Sequence, residues 1–210
     1  MRRRIGYGTV SYLALLASAF SSLTGTSAQA GDLTVSAATT NSISTGAGDG
    51  SGPGNILVNG TGSVVVTVPT AVTINTSNTF TNQGSVATSI QSNGSAVLIN
   101  LGRASPNDLS ATITNSNVIT AVGLGSSNAA DTTSLSNIGI DVFGRGTLTG
   151  SIINDATGQI AVGTNGAYGI AVRGNMVGNL TSVGTINALG PNSFGIVTTG
   201  RITGTDRKST

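Results

Sequence analysis

The stretch Ile138-Gly139-Ile140 … Gly146-Thr147-Leu148-Thr149-Gly150 returns as Tyr168-Gly169-Ile170 … Gly174-Asn175-Met176-Val177-Gly178. It returns again as Phe194-Gly195-Ile196 … Gly200-Arg201-Ile202-Thr203-Gly204. The closing glycines, Gly150, Gly178 and Gly204, lie 28 and then 26 residues apart. Self-similarity at this period marks a repeat architecture, in which each copy buries its apolar face only against its neighbours. Aligning the copies sets Ile140, Ile170 and Ile196 at one depth and Leu148, Met176 and Ile202 at another. A chain that coils so that strands of successive turns pair in parallel, about 4.8 Å apart, satisfies that alignment. Period-2 alternation then turns Ile170 and Val172 inward, and Ala171 and Arg173 outward. The length difference between copies falls between Gly150 and Gly158, opposite Gly178 to Gly184. A turn is therefore expected at Ile153-Asn154-Asp155-Ala156, because turns absorb length changes whereas a slipped strand reverses its faces.

Outside the repeat, short β-branched runs recur, such as Ser63-Val64-Val65-Val66-Thr67-Val68, Ala71-Val72-Thr73-Ile74 and Ala96-Val97-Leu98-Ile99. Each is bounded by Gly, Asn, Ser or Pro, the punctuation of strands. Helix is disfavoured after residue 30, since Glu is absent, Lys208 is the sole lysine, and β-branched residues lose rotamer freedom in helices. Low charge and frequent β-branched residues also argue against disorder. Upstream, Thr81-Asn82-Gln83-Gly84 and Thr114-Asn115-Ser116-Asn117 resemble one another at a spacing of 33, and Asn154 follows 39 residues later. The variable spacing implies insertions, placed at Ala104 to Asp108 and Ser126 to Thr133. The fold expected is all-β: a right-handed parallel β-helix (β-solenoid) with irregular coils and loop insertions. It would hold about six to eight turns in a rod of roughly 30 to 40 Å. The expected organisation is a leader over 1–30, a Gly/Ser-rich segment over 31–54, the solenoid over 55–204 and a charged tail over 205–210.

Arg2, Arg3 and Arg4 precede an apolar run from Tyr12 to Phe20, and the segment closes on Ala28-Gln29-Ala30. This is the pattern of a secretory signal peptide cut after Ala30 and ahead of Gly31, with small Ala28 and Ala30 at the recognition positions. The apolar run is shorter than the roughly 20 residues of a spanning helix. Without the leader, six basic residues face seven Asp, a net charge of −1. The remaining arginines are scattered, so no clustered positive face points to nucleic acid.

Histidine, cysteine and glutamate are absent, which removes the commonest metal ligands, proton shuttles and nucleophiles. No catalytic, cofactor-binding or metal residues are expected, and disulfides are impossible. Gly46-Ala47-Gly48-Asp49-Gly50-Ser51-Gly52 lacks the helix and lysine of a phosphate loop and the stacked repeats of a calcium roll. It reads as a flexible loop before the first regular coil. Asp141 and Asp155 are the carboxylates within the repeats and read as solvated turn residues. Asn59-Gly60-Thr61, Asn75-Thr76-Ser77, Asn93-Gly94-Ser95 and Asn179-Leu180-Thr181 fit the glycosylation triplet but read as turns and side-chain ladders. Arg145 and Arg173 align in consecutive copies and are the candidate surface-binding residues, a short basic stripe for an acidic glycan or surface.

The order of these features resembles the passenger regions of autotransporters, secreted surface proteins of Gram-negative bacteria. The carriers are the Ala28-Gln29-Ala30 leader end, Gly60-Thr61-Gly62-Ser63-Val64-Val65-Val66, Ala71-Val72-Thr73-Ile74-Asn75 followed by Thr81-Asn82-Gln83-Gly84, and the aromatic-Gly-Ile units. The resemblance implies a β-helical passenger handled by the export machinery and carried outward by a C-terminal outer-membrane β-barrel. The chain departs from that pattern by ending at Thr210 without barrel segments, so a passenger fragment, a truncated gene or one piece of a longer product is expected. The expected function is a non-catalytic, adhesin-like scaffold at the cell surface, with a host or glycan surface as partner. The location would be periplasmic if the product is truncated. The alternatives are a β-helical carbohydrate-active enzyme and a fragment without independent function.

Overall fold

The computed structural model describes residues 31–89, 93–122 and 136–208. The leader with Ala28 and Ala30, and the excursion expected from Ser126 to Thr133, lie outside the described residues. The first coil consists of β1 (Leu33–Val35), β2 (Ala38–Thr39) and β3 (Ile43–Ser44). The second holds β4 (Ile56–Val58), β5 (Ser63–Val66) and β6 (Thr70–Ile74). The third adds a fourth side: β7 (Phe80–Asn82), β8 (Ser85–Thr88), β9 (Ser95–Leu101) and β10 (Leu109–Ser110). The fourth coil is β11 (Ile113–Asn115), β12 (Val118–Val122), β13 (Ile138–Gly144) and β14 (Thr147–Thr149). The fifth is β15 (Ile152–Asn154), β16 (Gln159–Gly163), β17 (Tyr168–Val172) and β18 (Asn175–Val177). The sixth is β19 (Leu180–Ser182), β20 (Thr185–Leu189), β21 (Phe194–Thr198) and β22 (Ile202–Thr203), and β23 (Asp206–Lys208) starts another.

Strands of successive coils pair in parallel to form four sheets. Sheet A runs β1-β4-β7-β11-β15-β19-β23, sheet B β2-β5-β8-β12-β16-β20, sheet C β3-β6-β9-β13-β17-β21 and sheet D β10-β14-β18-β22. This is a parallel β-solenoid. Its seven rungs in sheet A span roughly 30 Å at the usual strand spacing.

The repeat alignment holds in space: Ile140 pairs with Ile170 and Ile170 with Ile196, while Leu148 stacks on Met176 and Met176 on Ile202. The solenoid extends past both expected limits. β1 to β3 lie within 31–54 and pair with β4 to β6, so the Gly46–Gly52 loop connects β3 to β4 rather than preceding the first coil. Asp206 to Lys208 continue sheet A opposite Leu180 to Ser182. The expected turn also moves. Ile153 and Asn154 belong to β15, and the extra residues sit at Asp155 to Gly158, between the Asn154–Ser182 and Gln159–Thr185 pairs. The excursion expected at Ala104 to Asp108 does leave the ladder, between β9 and β10.

The interior is a set of apolar columns. Ile56, Phe80, Ile113, Ile152 and Leu180 form one in sheet A, and Val64, Val86, Ile119 and Ile160 form another in sheet B, all buried. A polar column interrupts them where sheet A turns into sheet B. Asn82, Asn115 and Asn154 are paired in register and fully buried. The Nδ2 of Asn82 donates to Oδ1 of Asn115 (2.8 Å), and Nδ2 of Asn115 to Oδ1 of Asn154 (2.8 Å). Asn154 closes the ladder on the Ser182 hydroxyl, 3.2 Å away. The same amides also reach backbone carbonyls, Asn82 that of Val118 at 3.0 Å, so the buried groups are satisfied.

The glycines that first mark the repeat have a steric cause. Gly150, Gly178 and Gly204 take φ of 147°, 143° and 152°, a region that side chains disfavour. A Cβ on Gly178 would strike the Gly150 carbonyl oxygen, and one on Gly204 that of Gly178. Backbone thus packs on backbone at each entry into sheet A.

The Asn59 and Asp155 corners share one construction. Oδ1 of Asn59 accepts from the Thr61 amide and hydroxyl at 3.1 and 3.0 Å, and Oδ1 of Asp155 accepts from those of Thr157 at 2.9 and 2.8 Å. Each threonine hydroxyl also bonds a carbonyl one coil back, Ser36 or Ser116. The Ser116 hydroxyl, then Thr157 and Gly158, bond the Asp155 carboxylate and hold its pKa below the ordinary value, against a smaller opposing effect of desolvation.

Asn115→Leu takes one of the two acceptors from Asn82 Nδ2 and the Asn115 donor from Asn154 Oδ1, each at a cost of about 1–3 kcal/mol, and urea denaturation should show stability lowered by that order. A pKa depressed on folding contributes stability that is complete above the ordinary carboxylate range and fades as pH falls through the folded value. The stability gap between the native chain and Asp155→Asn should therefore be largest near pH 6 and close as the pH is lowered through 4 toward 2. A gap that widens in acid would contradict the assignment.

Candidate functional site

In sheet C the strands carry a repeated pattern: Thr70-Ala71-Val72-Thr73-Ile74, Ser95-Ala96-Val97-Leu98-Ile99, Ile138-Gly139-Ile140-Asp141-Val142 and Tyr168-Gly169-Ile170-Ala171-Val172. The second, third and fifth residues of each are buried toward the interior. Two consecutive inward residues require the first of them to be small. A Cβ on Gly139 would meet Cγ2 of Ile160 in sheet B at 2.5 Å, and one on Gly169 would strike Cγ2 of Ile186. The first and fourth residues consequently share the outer face. Thr70, Ser95, Ile138, Tyr168 and Phe194 form one outward column by register, and Leu98, Asp141, Ala171 and Val197 another.

Over this outer face lies a groove of about 560 Å³. Leu98, Asp141 and Val197 line its middle, Thr70, Ser95, Ile138 and Tyr168 one side, and Arg103, Phe143, Arg173 and Thr199 the other. The Tyr168 and Phe194 rings stack with centroids 6.2 Å apart and planes inclined by 26°. Phe143 receives a guanidinium from each neighbouring rung. The Cζ of Arg103, in the corner after β9, lies 4.7 Å from the ring centroid, and that of Arg173, just after β17, 4.5 Å. Both distances are within cation–π range.

Asp141 departs from its expected place. It is no solvated turn residue: it lies within β13 and is 1% exposed. The cause is Arg173, which crosses the rung diagonally and forks onto it. Its Nε donates to Oδ1 at 3.0 Å and its Nη2 to Oδ2, while the Ser95 hydroxyl also donates to Oδ2 at 3.2 Å. Such bidentate pairs combine strength with fixed geometry. The fork holds the Arg173 guanidinium over Phe143. Ala171, next to Asp141 in the outward column, is likewise fully buried although period-2 alternation turns it outward.

The expected stripe of Arg145 and Arg173 is rearranged for the same reason. β13 continues to Gly144 beside β9, so the position above Arg173's neighbour Val172 leads to Phe143, and Arg145 sits exposed at the next corner outside the groove. The arginines that share a site are Arg103 and Arg173. Sequence reading missed Arg103 and Phe143, because the spacing from Arg103 to Arg173 carries the insertions of two coils. The one available signal was Phe143 beside Asp141 on an expected outward row. Asp155 lies in the corner between sheets A and B, away from the groove.

Chemically, the groove offers an ion pair, a second guanidinium with no carboxylate within salt-bridge distance among the described residues, an aromatic pair and several hydroxyls. Among the described residues no three Asp side chains converge. No protein-family model, curated protein or solved structure matches this chain.

Removing one partner of a buried ion pair typically costs about 3–5 kcal/mol. Here solvent reaches Arg173, whose side chain is 36% exposed, and screening places the cost at or below the lower end of that range. Arg173→Ala leaves Asp141 buried without its partner, whereas Asp141→Asn frees Arg173 to turn into solvent. Urea unfolding should therefore show the larger loss for Arg173→Ala.

Proposed function

We propose that this chain is an exported β-solenoid that acts by binding at the cell surface, in the manner of an autotransporter passenger, and not by catalysis. The observation that carries the reading is the engagement of Asp141. The carboxylate in the groove accepts from Arg173 on both oxygens and from Ser95, which leaves aromatic, guanidinium and hydroxyl groups that can hold a ligand. General acid–base chemistry needs a positioned group free to exchange a proton with the substrate. The Arg–Phe–Arg stack and the Tyr168–Phe194 pair suit recognition instead.

Export rests on the leader of residues 1–30 and on the Gly31 boundary, and the passenger reading on the motif order together with the parallel solenoid. A rigid rod with its functional face built on strands is a suitable platform for display, since strands hold side chains more firmly than loops do.

The test is expression of the full-length gene product in a Gram-negative host. The expected results are a mature N-terminus at Gly31 by mass spectrometry, adhesion that disappears when residues 55–204 are deleted, and no release of reducing sugar from a polysaccharide panel. Sugar release that Asp141→Asn abolishes would establish the carbohydrate-active alternative in its place.

A further inference from the structure

From the sheet C groove we infer a binding site for an acidic oligosaccharide, which rests on the binding reading above and specifies its ligand class. The Arg173 charge is matched by Asp141, so the groove is left with one net positive charge, carried by Arg103. Arg103 is exposed, its Cζ lies 4.7 Å from the Phe143 ring centroid and no carboxylate stands within salt-bridge distance among the described residues, which leaves its N–H groups open to an anionic group. An arginine so placed presents parallel donors to a carboxylate or sulfate.

Tyr168 on the opposite side of the groove, with Phe194 of the next rung stacked on it, supplies the other half of sugar recognition. The Tyr168 and Phe194 rings stack across two rungs, and Phe194 is 54% exposed, an aromatic surface on which the apolar face of a sugar ring can lie. Thr70, Ser136 and Thr199 add hydroxyls, and Asn93 an amide, to the lining. Apolar platforms with a few placed polar groups are the usual make-up of a small-ligand site.

Dimensions set the ligand's length. Ile138, in register with Tyr168, and Phe143, against which Arg103 packs, are five residues apart in β13, about 16 Å at the extended rise. A single sugar cannot touch both the aromatic pair and the arginine side. A chain of several sugars lying across the groove can, with its anionic group at Arg103 and a ring on Tyr168 and Phe194.

The experiment uses the full chain carrying Tyr7→Phe and Tyr12→Phe, so that Tyr168 becomes the only tyrosine and, with no tryptophan present, its fluorescence reports the groove. The probes are a galacturonic acid tetramer, a sulfated tetrasaccharide and a neutral glucose tetramer, each also titrated by calorimetry. The expected result is saturable quenching by an anionic tetramer, at least tenfold tighter than by the neutral one, and the tighter of the two anions identifies the preferred group. Arg103→Ala and Phe194→Ala, both at exposed positions, should each weaken that binding at least tenfold. Arg145→Ala, which removes the same charge outside the groove, should leave it within twofold. Equal affinity for neutral and anionic tetramers, or equal weakening by Arg145→Ala, would overturn the inference. Failure of every tetramer to bind while adhesion persists would overturn the ligand class alone. Slow cleavage of a bound tetramer would instead keep the site and overturn the non-catalytic reading.

Discussion

The buried amide ladder through Asn82, Asn115 and Asn154 is the interaction on which the register of the solenoid depends. Apolar columns are tolerant: isoleucine, leucine and phenylalanine exchange along the sheet A column with little regard for which coil supplies them. An amide is not tolerant. Each Nδ2 must find an acceptor and each Oδ1 a donor within about 3 Å, since all three side chains are fully buried, and a one-residue slip would turn the whole column to the outer face. Three asparagines spaced 33 and 39 residues apart thereby fix where successive coils meet, whatever is inserted between them.

That fixed register is what assembles the groove. Arg103, Phe143 and Arg173 come from three different coils, and Ser95, Asp141 and Tyr168 from the same three. None is adjacent to another partner in sequence, yet the parallel ladder brings each within reach. The inward position after the first residue of each sheet C strand, Ala71, Ala96, Gly139 or Gly169, matters here as well. Small residues there let two consecutive positions face the interior, which returns Asp141 and Phe143 to the outer face. Architecture and recognition surface are therefore consequences of one repeating strand pattern.

The aromatic-Gly-Ile repeat and its Gly-rich partner were legible because they are local, and local spacing maps directly onto rungs when coils have nearly equal length. Asn82, Asn115 and Asn154 were visible as similar sites but not as a ladder, since nothing local distinguishes a buried amide from one in a solvated turn. Asp141 was misread for a related reason. A lone carboxylate in a polar sequence reads as solvated unless its partner is known, and Arg173 reaches it only across a rung and two positions back along it. Arg145 and Arg173 matched by counting from the glycines, but β13 runs on beside β9, so that count does not carry across the corner. The solenoid limits shifted too, because two-residue strands such as β2 and β3 lack a periodic signal of their own.

By itself the sequence determined that the chain is β-built, repeating, poor in charge and without the residue types of most catalytic centres. These follow from composition and spacing, which act through the local preferences of the backbone and through burial of one residue in two. The tertiary structure alone decided which side chains stand together: the amide ladder, the buried Arg173–Asp141 fork, and the Arg103–Phe143–Arg173 stack. Those depend on the register between coils, and that register is set by contacts 22 to 43 residues apart, whose spacing changes with every insertion.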